Sequence, residues 1–273
     1  MIPEIKPGQS IALLKALHIL TRDGKLNQDS RRKLKQVYHL YQFIEPLLQE
    51  VGANVQLVDH GAGKSYLGFI LYDLFFKQRE DAAHIFGIET REALVKSSVE
   101  LAEQLGFGGM SFLNLSVADS ITSSLLPEKV DVVTALHACD TATDDAIRFG
   151  LLKQARFMVL VPCCQAEVAT ALRKEKARAL ARGALAELWR HPIHTREFGS
   201  HVTNVLRCLQ LEAHGYQVTV TELVGWEHSM KNELIVATYK NLPRRKAAER
   251  LRELLIMLGL EALESRFFVI PFN

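Results

Sequence analysis

A polar loop between an apolar run and a helical segment is the clearest chemical signal in this 273-residue sequence. The loop consists of Asp59, His60, Gly61, Ala62, Gly63 and Lys64. Glycines there let a ligand approach the backbone, and the start of the helix offers free N–H groups. The spacing fits neither a P-loop nor the G-x-G-x-x-G loop, which needs glycine where Tyr66 stands. Asp59 would repel a pyrophosphate, so we expect a ligand with hydroxyl groups or a positive charge.

Further acidic residues follow the next two apolar runs. Glu89 ends the run His84–Glu89, where a carboxylate can accept hydrogen bonds from both hydroxyls of a ribose. Ala118 and Asp119 follow the run Ser111–Leu115 and are placed to meet an adenine amino group. Because the carboxyl ends of parallel strands share one edge of a sheet, these residues predict a single binding site.

Three of the four cysteines fall at the same predicted edge. The fourth apolar run ends near His137 and Cys139, and the fifth ends near Cys163 and Cys164. In open α/β sheets, functional residues gather at such strand ends. The residues that we expect near the reacting atoms are His137, Cys139, Asp144 and Cys163.

Short apolar runs that alternate with amphipathic stretches must position these residues. The runs, each a predicted strand, are Val55–Asp59, His84–Glu89, Ser111–Leu115, Val130–Leu136 and Phe157–Pro162. The predicted helices between them are Lys64–Gln78, Arg91–Leu105 and Thr141–Leu152. This order favours an α/β fold in which a mostly parallel sheet carries helices on both faces. After a helical region over 164–214, Gln217–Val224 and Glu233–Tyr239 predict an antiparallel pair of strands at the sheet edge.

Both ends of the chain are expected to be helical. The stretch Ile11–Leu20 predicts one helix, and a longer one is expected to have Ser30 as its N-cap and a kink at Pro46. The tail Pro243–Leu260 predicts another helix. The polar cluster His191–His201 is expected to be a substrate loop over the active edge.

The D-x-G-x-G loop and the acidic residue after each of three successive strands resemble the class I S-adenosylmethionine-dependent methyltransferases. The resemblance covers residues 51–240 and implies a Rossmann-like, seven-stranded, mostly parallel sheet whose last strand is antiparallel. An N-terminal helical extension, 1–50, and a basic C-terminal helix and tail, 241–273, fall outside it. The S-adenosylmethionine site that it implies contains Asp59, Gly61, Ala62, Gly63, Glu89, Ala118, Asp119 and His137.

The ends of the fourth and fifth strands resemble one branch of that superfamily. The pattern L-H-x-C-x-x-A-T-D at 136–144 is followed by P-C-C at 162–164. It is similar to the domain shared by the eukaryotic acceptor-stem tRNA 2′-O-methyltransferase, a group of methyltransferase-like proteins, and the glutathione-S-transferase-C-terminal-domain-containing methyltransferases. Lys231–Ile235 resembles the last strand of this branch. The branch commonly has glycine where this chain has Asp140, so the turn there departs from its pattern.

Three roles are open for the cysteines. Cys163 or Cys164 could attack carbon 6 of a cytosine, so that carbon 5 takes the methyl group. The two cysteines could bind zinc together with His137 and Cys139, although adjacent cysteines rarely serve one tetrahedral ion. They could also be small, partly buried residues that shape the floor of the pocket, as free cysteines usually are. We favour the third role and expect no metal.

Charge and composition limit the kinds of partner that the protein can have. Lys and Arg total 33, and Asp and Glu total 31, so any surface for nucleic acid must be local. Basic residues concentrate in 173–182, in 240–252 and in Arg31–Lys35. With the resemblance, these runs predict RNA as a partner. The few cysteines and the lack of a run long enough for a membrane span lead us to expect a cytoplasmic protein without membrane contact.

The sequence therefore predicts an S-adenosylmethionine-dependent methyltransferase that acts on tRNA or rRNA, at a ribose hydroxyl or a base. Methylation of a protein or a small molecule is the alternative activity. A module that keeps the fold and binds a partner without catalysis is the alternative from a different class.

Overall fold

A seven-stranded sheet lies at the centre of the computed structural model, which describes residues 4–136, 138, 140–162, 165–175, 187–188, 190–223, 233–243 and 245–268. The strands are β1 Gln56–His60, β2 His84–Glu89, β3 Met110–Asn114, β4 Val132–Ala135, β5 Phe157–Leu160, β6 Tyr216–Glu222 and β7 Glu233–Tyr239. Their order across the sheet is β3-β2-β1-β4-β5-β7-β6. Strands β1 to β5 are parallel, and β7 is antiparallel to both β5 and β6.

This topology confirms the predicted fold class, and all seven predicted strands overlap observed ones. The edge at which β1 to β5 end is called the carboxyl edge below, and the opposite edge is called the amino edge. The strand order reverses between β1 and β4, which is where open α/β sheets form their ligand crevice. The fold therefore positions the residues that follow β1, β2, β4 and β5 around one crevice.

Helices cover both faces of the sheet. They are α1 Ile11–Ala16, α2 Gln28–Val51, α3 Tyr66–Leu71, α4 Glu92–Leu105, α5 Val117–Ser120, α6 Thr141–Leu152, α7 Glu167–Glu175, α8 Pro192–Ala213, α9 Arg245–Met257 and α10 Glu264–Phe267. A π-helical turn, Tyr72–Phe76, continues α3, and a 3₁₀ turn, Glu261–Leu263, precedes α10. Within the described ranges, no helix is both long and apolar enough to cross a membrane.

The N-terminal helices share one apolar core with the sheet. Leu13 of α1 and Ile44 of α2 are fully buried in the same cluster as Leu57 of β1 and Phe157 of β5. A second cluster fills the opposite face around Phe149 of α6. The C-terminal helix α9 packs mainly on α8 through a third cluster. Residues 11–51 are thus held by the same burial that holds the sheet.

Two local expectations were wrong. Asn27, not Ser30, is the N-cap of α2, because its side-chain oxygen accepts a hydrogen bond from the Ser30 N–H at 2.8 Å. Pro46 lies inside the single helix Gln28–Val51, and the kink expected there stays a prediction. The cluster His191–His201 is not a loop: it forms the first turns of α8, where Pro192 occupies a position that suits a helix start.

Helices α7 and α8 are in close contact at Gly199. A Cβ atom at this position would lie 2.7 Å from both the Cα and the Cβ of Ala169 and 2.8 Å from its backbone nitrogen. Because two of these three atoms belong to the backbone, they cannot rotate away. The absence of a side chain at Gly199 therefore sets the distance between α7, which follows β5, and α8.

We expect Gly199→Ala to lower the free energy of unfolding by about 1–3 kcal/mol, the usual cost of overpacking a core. Urea denaturation measures the change. Gly108→Ala is the matched control, because nothing lies within 4 Å of a Cβ at Gly108. Equal stability of the two variants would contradict the close contact between α7 and α8.

Candidate functional site

The loop after β1 is fixed to β2 by its own backbone. The Ala62 N–H donates to the Ile88 carbonyl at 3.0 Å, and the Gly63 N–H donates to the Glu89 carboxylate at 2.8 Å. Gly61 and Gly63 have φ angles of 65° and 60°, in the left-handed region where side chains cause strain. The glycines of the D-x-G-x-G pattern thus allow the sharp turn that leaves the carboxyl end of β1.

Asp59 is the buried carboxyl group of the site. It is 3% exposed and pairs in register with Gly87 of β2 and Thr134 of β4. The Thr134 hydroxyl donates to Asp59 at 2.6 Å, but burial has the larger effect and raises the pKa of Asp59 to about 7. A carboxyl group in this state is stabilised by a nearby positive charge. The position therefore fits a cationic ligand group.

Glu89, at the end of β2, is held by Arg91. The Arg91 Nε donates to Oε1 at 2.9 Å, its Nη2 donates to Oε2 at 3.0 Å, and its backbone N–H donates to Oε1 at 3.0 Å. These bonds, with a smaller contribution from the Gly63 N–H, lower the pKa of Glu89 to about 2. The Glu89 side chain is 7% exposed, whereas that of Arg91 is 66% exposed. Arg91 has room to move into solvent and leave the carboxylate to hydroxyl groups of a ligand.

Ala118 and Asp119 lie in α5, just after β3, and both are exposed. The Ser116 hydroxyl donates to the Asp119 carboxylate at 2.6 Å, and the Asp119 N–H donates back to that hydroxyl at 3.0 Å. This reciprocal pair caps the short helix. The structure thus brings Asp59, Glu89 and Asp119 to the carboxyl edge, after three adjacent strands.

His60 links the first and third of these segments, and the sequence did not single it out. It is fully buried, its Nε2 lies 3.1 Å from the Ser120 hydroxyl, and its ring meets Phe149 edge-on at 4.6 Å between centroids. Burial lowers the pKa of His60 to about 3, so the ring is neutral at physiological pH. A polar side chain in an otherwise buried strand was the signal, since such a group needs a partner.

Asp144, predicted to be reactive, is one half of a buried ion pair. Arg207 of α8 donates from Nε and Nη2 to the two carboxylate oxygens of Asp144, both at 2.8 Å. The side chains are 1% and 4% exposed. The same Nη2 also donates to the Asp140 carbonyl at 2.8 Å. Both oxygens of Asp144 are therefore engaged, and the pair joins α8 to the first turn of α6. The pattern alone did not reveal Arg207, although a charged residue on the apolar side of a helix was a signal.

Asp140 has a backbone conformation that glycine would adopt more readily. Its φ of 51° and ψ of −123° lie in a region that side chains rarely adopt. Its carboxylate accepts hydrogen bonds from the N–H groups of Ala166 at 2.9 Å and Glu167 at 3.4 Å, at the start of α7. These hydrogen bonds join Asp140 to the start of α7 and compensate for the strain of its backbone conformation.

A polar network joins Gln165, just before α7, to α8 and β7. Gln165 is buried; its amide donates to Asn204 at 2.7 Å, and the Ser200 hydroxyl donates to its carbonyl oxygen. Asn204 in turn donates to Glu233, the first residue of β7. Helix α8 therefore supplies the polar groups that join the ends of β5 and β7 at the carboxyl edge.

Several predicted residues lie outside the described residues: His137, Cys139, Cys163, Cys164, Lys231, Asn232 and 176–182. In the part of the chain that is described, no group of three or more His, Cys, Asp or Glu residues is placed to hold a metal ion. Cys208 of α8 is a free, partly buried thiol whose pKa is raised to about 12, first by burial and then by Glu233 and Glu212.

Comparison with known proteins gives a family match. A family model described as a methyltransferase domain matches residues 32–171. The glutathione S-transferase C-terminal domain-containing protein of Bos taurus is 22% identical over 232 residues, which cover 79% of this chain and 34% of the relative. The chain thus spans about a third of the length of the curated relatives it matches.

Solved structures of similar fold include two methyltransferases. The SAH-bound magnesium protoporphyrin IX methyltransferase of Synechocystis PCC 6803 is 16% identical, with a TM-score of 0.48 over 85% of this chain and 96% of that one. An SAH-bound methyltransferase of Podospora anserina is 10% identical, with a TM-score of 0.48 over 85% of this chain and 88% of that one.

Asp59 should make stability depend on pH. The ordinary pKa of an aspartate is 3.8, and burial raises the pKa of folded Asp59 to about 7. At pH values between these two, folded Asp59 keeps a proton that the unfolded chain releases. The contribution of Asp59 to the free energy of unfolding therefore falls as pH rises through this range. We expect Asp59→Asn to gain about 2–3 kcal/mol relative to wild type between pH 5 and pH 8. Denaturant titrations at both pH values measure this. The exposed Asp119→Asn is the control, and parallel profiles for all three proteins would refute the burial effect.

Removing one partner of the buried ion pair should lower the free energy of unfolding more than removing both partners does. Arg207→Met leaves Asp144 charged and buried, so we expect a loss of about 3–5 kcal/mol in the free energy of unfolding. The double variant Arg207→Met/Asp144→Leu should recover most of that loss. Chemical denaturation of the single and double variants checks this, and a double variant less stable than Arg207→Met would contradict it.

Proposed function

The chain belongs to the family of methyltransferase domains, and from this premise we propose that it transfers the methyl group of S-adenosylmethionine to RNA. Family membership confirms the resemblance drawn from the glycine loop and the strand-end acids. The observation that supports RNA as the acceptor is that a basic helix end lies at the same sheet edge as the glycine loop.

The residues at the carboxyl edge fit S-adenosylmethionine. The buried carboxyl group of Asp59 suits the charged amino-acid end, the Glu89 carboxylate suits the ribose hydroxyls, and Ala118 with Asp119 suits the adenine. Gly61 and Gly63 carry no side chain at the turn. When bound, S-adenosylmethionine supplies an electrophilic methyl group on a sulfonium.

The described residues mainly provide position. Transfer of a methyl group from a sulfonium is downhill, so holding the acceptor in line and excluding water supply much of the rate. Both oxygens of Asp144 are bonded to Arg207, so we assign Asp144 a positioning role in place of the reactive one first expected. His137, Cys139 and Cys163 stay the predicted catalytic residues.

Helix α2 presents its basic end at the carboxyl edge. Its other end lies at the amino edge, because the Glu50 carbonyl accepts a hydrogen bond at 3.0 Å from Arg156, which directly precedes β5. Buried residues from Leu34 to Leu48 place the helix in the apolar core that it shares with α1, α3 and the sheet. At 1.5 Å per residue α2 is about 36 Å long, whereas β5 spans about 13 Å, so the first turns of α2 pass beyond the strand ends. These turns carry four exposed cations, of which Arg31 is paired with Glu4 at 2.9 Å: Arg31, Arg32, Lys33 and Lys35.

The predicted RNA-binding segments are placed less favourably. In 240–252, Lys240 lies 3.8 Å from Glu50 at the amino edge. Three arginines of this segment are ion-paired: Arg245 with Glu249, Arg250 with Glu212, and Arg252 with Glu264. In 173–182, Arg173 and Lys174 are exposed at the end of α7. Both segments stay predictions, and the start of α2 is the better-placed basic surface.

A protein or small-molecule acceptor is the alternative that the same cofactor site would serve. The cytoplasmic location expected from the sequence also stays a prediction. The acceptor class is the feature that an experiment must decide first.

Incubation with methyl-labelled S-adenosylmethionine and total cellular RNA should place label in the RNA. We expect Glu89→Gln to weaken cofactor binding by about 1–3 kcal/mol, the value of charge-assisted hydrogen bonds, and to reduce transfer accordingly. Calorimetry measures the binding. The exposed neighbour Glu92→Gln is the matched control.

Label in protein or small-molecule fractions, with none in RNA, would replace the RNA proposal by the alternative acceptor. Cofactor binding without transfer to any fraction would favour the non-catalytic module. Equal binding by wild type and Glu89→Gln would remove the ribose assignment.

A further inference from the structure

A cavity of about 420 Å³ lies between the end of α1 and the start of α2. Its lining residues are Lys15, His18, Leu20, Thr21, Arg22 and Asn27. Three of the six have basic side chains and two have neutral polar ones. A cavity lined in this way offers hydrogen-bond donors and positive charge to a single anionic group.

A closed turn builds the wall of the cavity. The Thr21 N–H donates to the Lys25 carbonyl at 2.9 Å, the Gly24 N–H donates to the Thr21 carbonyl at 2.8 Å, and the Lys25 N–H donates to the Thr21 hydroxyl at 3.0 Å. Lys15 extends along this turn, because its Cε lies 3.9 Å from a Cβ built at Gly24. The turn fixes the backbone on which Arg22 stands.

His18 adopts a backbone conformation that glycine would adopt without strain. Its φ is 54°, it is exposed, and it directly follows Leu17, the C-cap of α1. Positive φ is uncommon outside glycine and costs about 1 kcal/mol or more. A left-handed residue after the C-cap is a common helix ending, and here it places the imidazole with Lys15 and Arg22 in the lining of the cavity.

The charges at the cavity are uncompensated, unlike those of α9. Within the described ranges, neither Lys15 nor Arg22 has a carboxylate within ion-pair distance, and both are exposed. Asp23 belongs to the same turn but does not line the cavity. Arg250 and Arg252, by contrast, are each paired with a glutamate. Free cations release counterions when they meet a phosphate, whereas paired ones must first break a bond.

We propose that this cavity binds a backbone phosphate of the RNA acceptor, through Lys15, His18 and Arg22. The inference rests on the proposed function, because it assumes an RNA acceptor. The cavity adjoins Asn27, the N-cap of α2, and therefore lies where α2 passes the carboxyl edge. A phosphate held there would orient the RNA toward the crevice between β1 and β4.

The test measures binding of unfractionated tRNA at several salt concentrations. For Lys15→Ala/Arg22→Ala we expect at least a tenfold weaker Kd near 0.1 M salt. The slope of log K against log salt should become shallower by about 1–2, as expected when one or two phosphate contacts are lost. The affinity for S-adenosylmethionine, measured by calorimetry, should stay at the wild-type value.

Two further variants make the test specific. Lys129→Ala removes an exposed cation that precedes β4, at the amino edge, and should bind tRNA as wild type does. His18→Gly relaxes the backbone, so its melting temperature should not fall, while its tRNA affinity should. Wild-type tRNA affinity in Lys15→Ala/Arg22→Ala would overturn the phosphate site and leave the RNA acceptor intact. A wild-type protein that neither binds nor methylates RNA would overturn both.

Discussion

A single buried arginine holds together the carboxyl edge of this methyltransferase domain. Arg207 of α8 bonds both oxygens of Asp144 and the carbonyl of Asp140. A charge so fully removed from water is tolerated only with a bidentate partner, which ties α8 to the start of α6. Asp140, whose carbonyl accepts the hydrogen bond from Arg207, has a positive φ. Its carboxylate also accepts a hydrogen bond from the Ala166 N–H, so the start of α6 is joined to the start of α7 as well.

The part of the carboxyl edge that carries the glycine loop, Asp59 and Glu89 is stabilised by different interactions. There the backbone of the glycine loop bonds to β2, and the two acids stand in opposite environments. Burial keeps Asp59 close to neutral, whereas Arg91 keeps Glu89 ionised. The carboxyl group of Asp59 thus suits a positively charged ligand group, and the carboxylate of Glu89 suits hydroxyl donors. His60 links this loop to α5, so the segments that carry Asp59 and Asp119 are held at a constant distance.

Cations of this structure have two kinds of surroundings. Arg156 and Lys240 are paired with Glu50 and join the end of α2 to the sheet, and Arg250 is paired with Glu212 and joins α9 to α8. At the carboxyl edge, the cations of the α1–α2 connection are exposed around a cavity. Basic residues of similar density in the sequence therefore serve two purposes, of which one is packing and the other fits an anionic partner.

The sequence by itself determined the α/β class, the succession of strands along the chain, the glycine turn and the strand-end position of Asp59, Glu89 and Asp119. These features depend on local patterns: alternating apolar runs, positive-φ glycines, and the rule that parallel strands end at one edge. Only the tertiary structure decided that Asp144 is bound by Arg207, 63 residues away, and that His60 needs Ser120. It also decided that His191–His201 begins a helix and which basic runs are paired. The reason is that a sequence states the charge of each side chain, whereas its partner and its burial depend on contacts between distant segments.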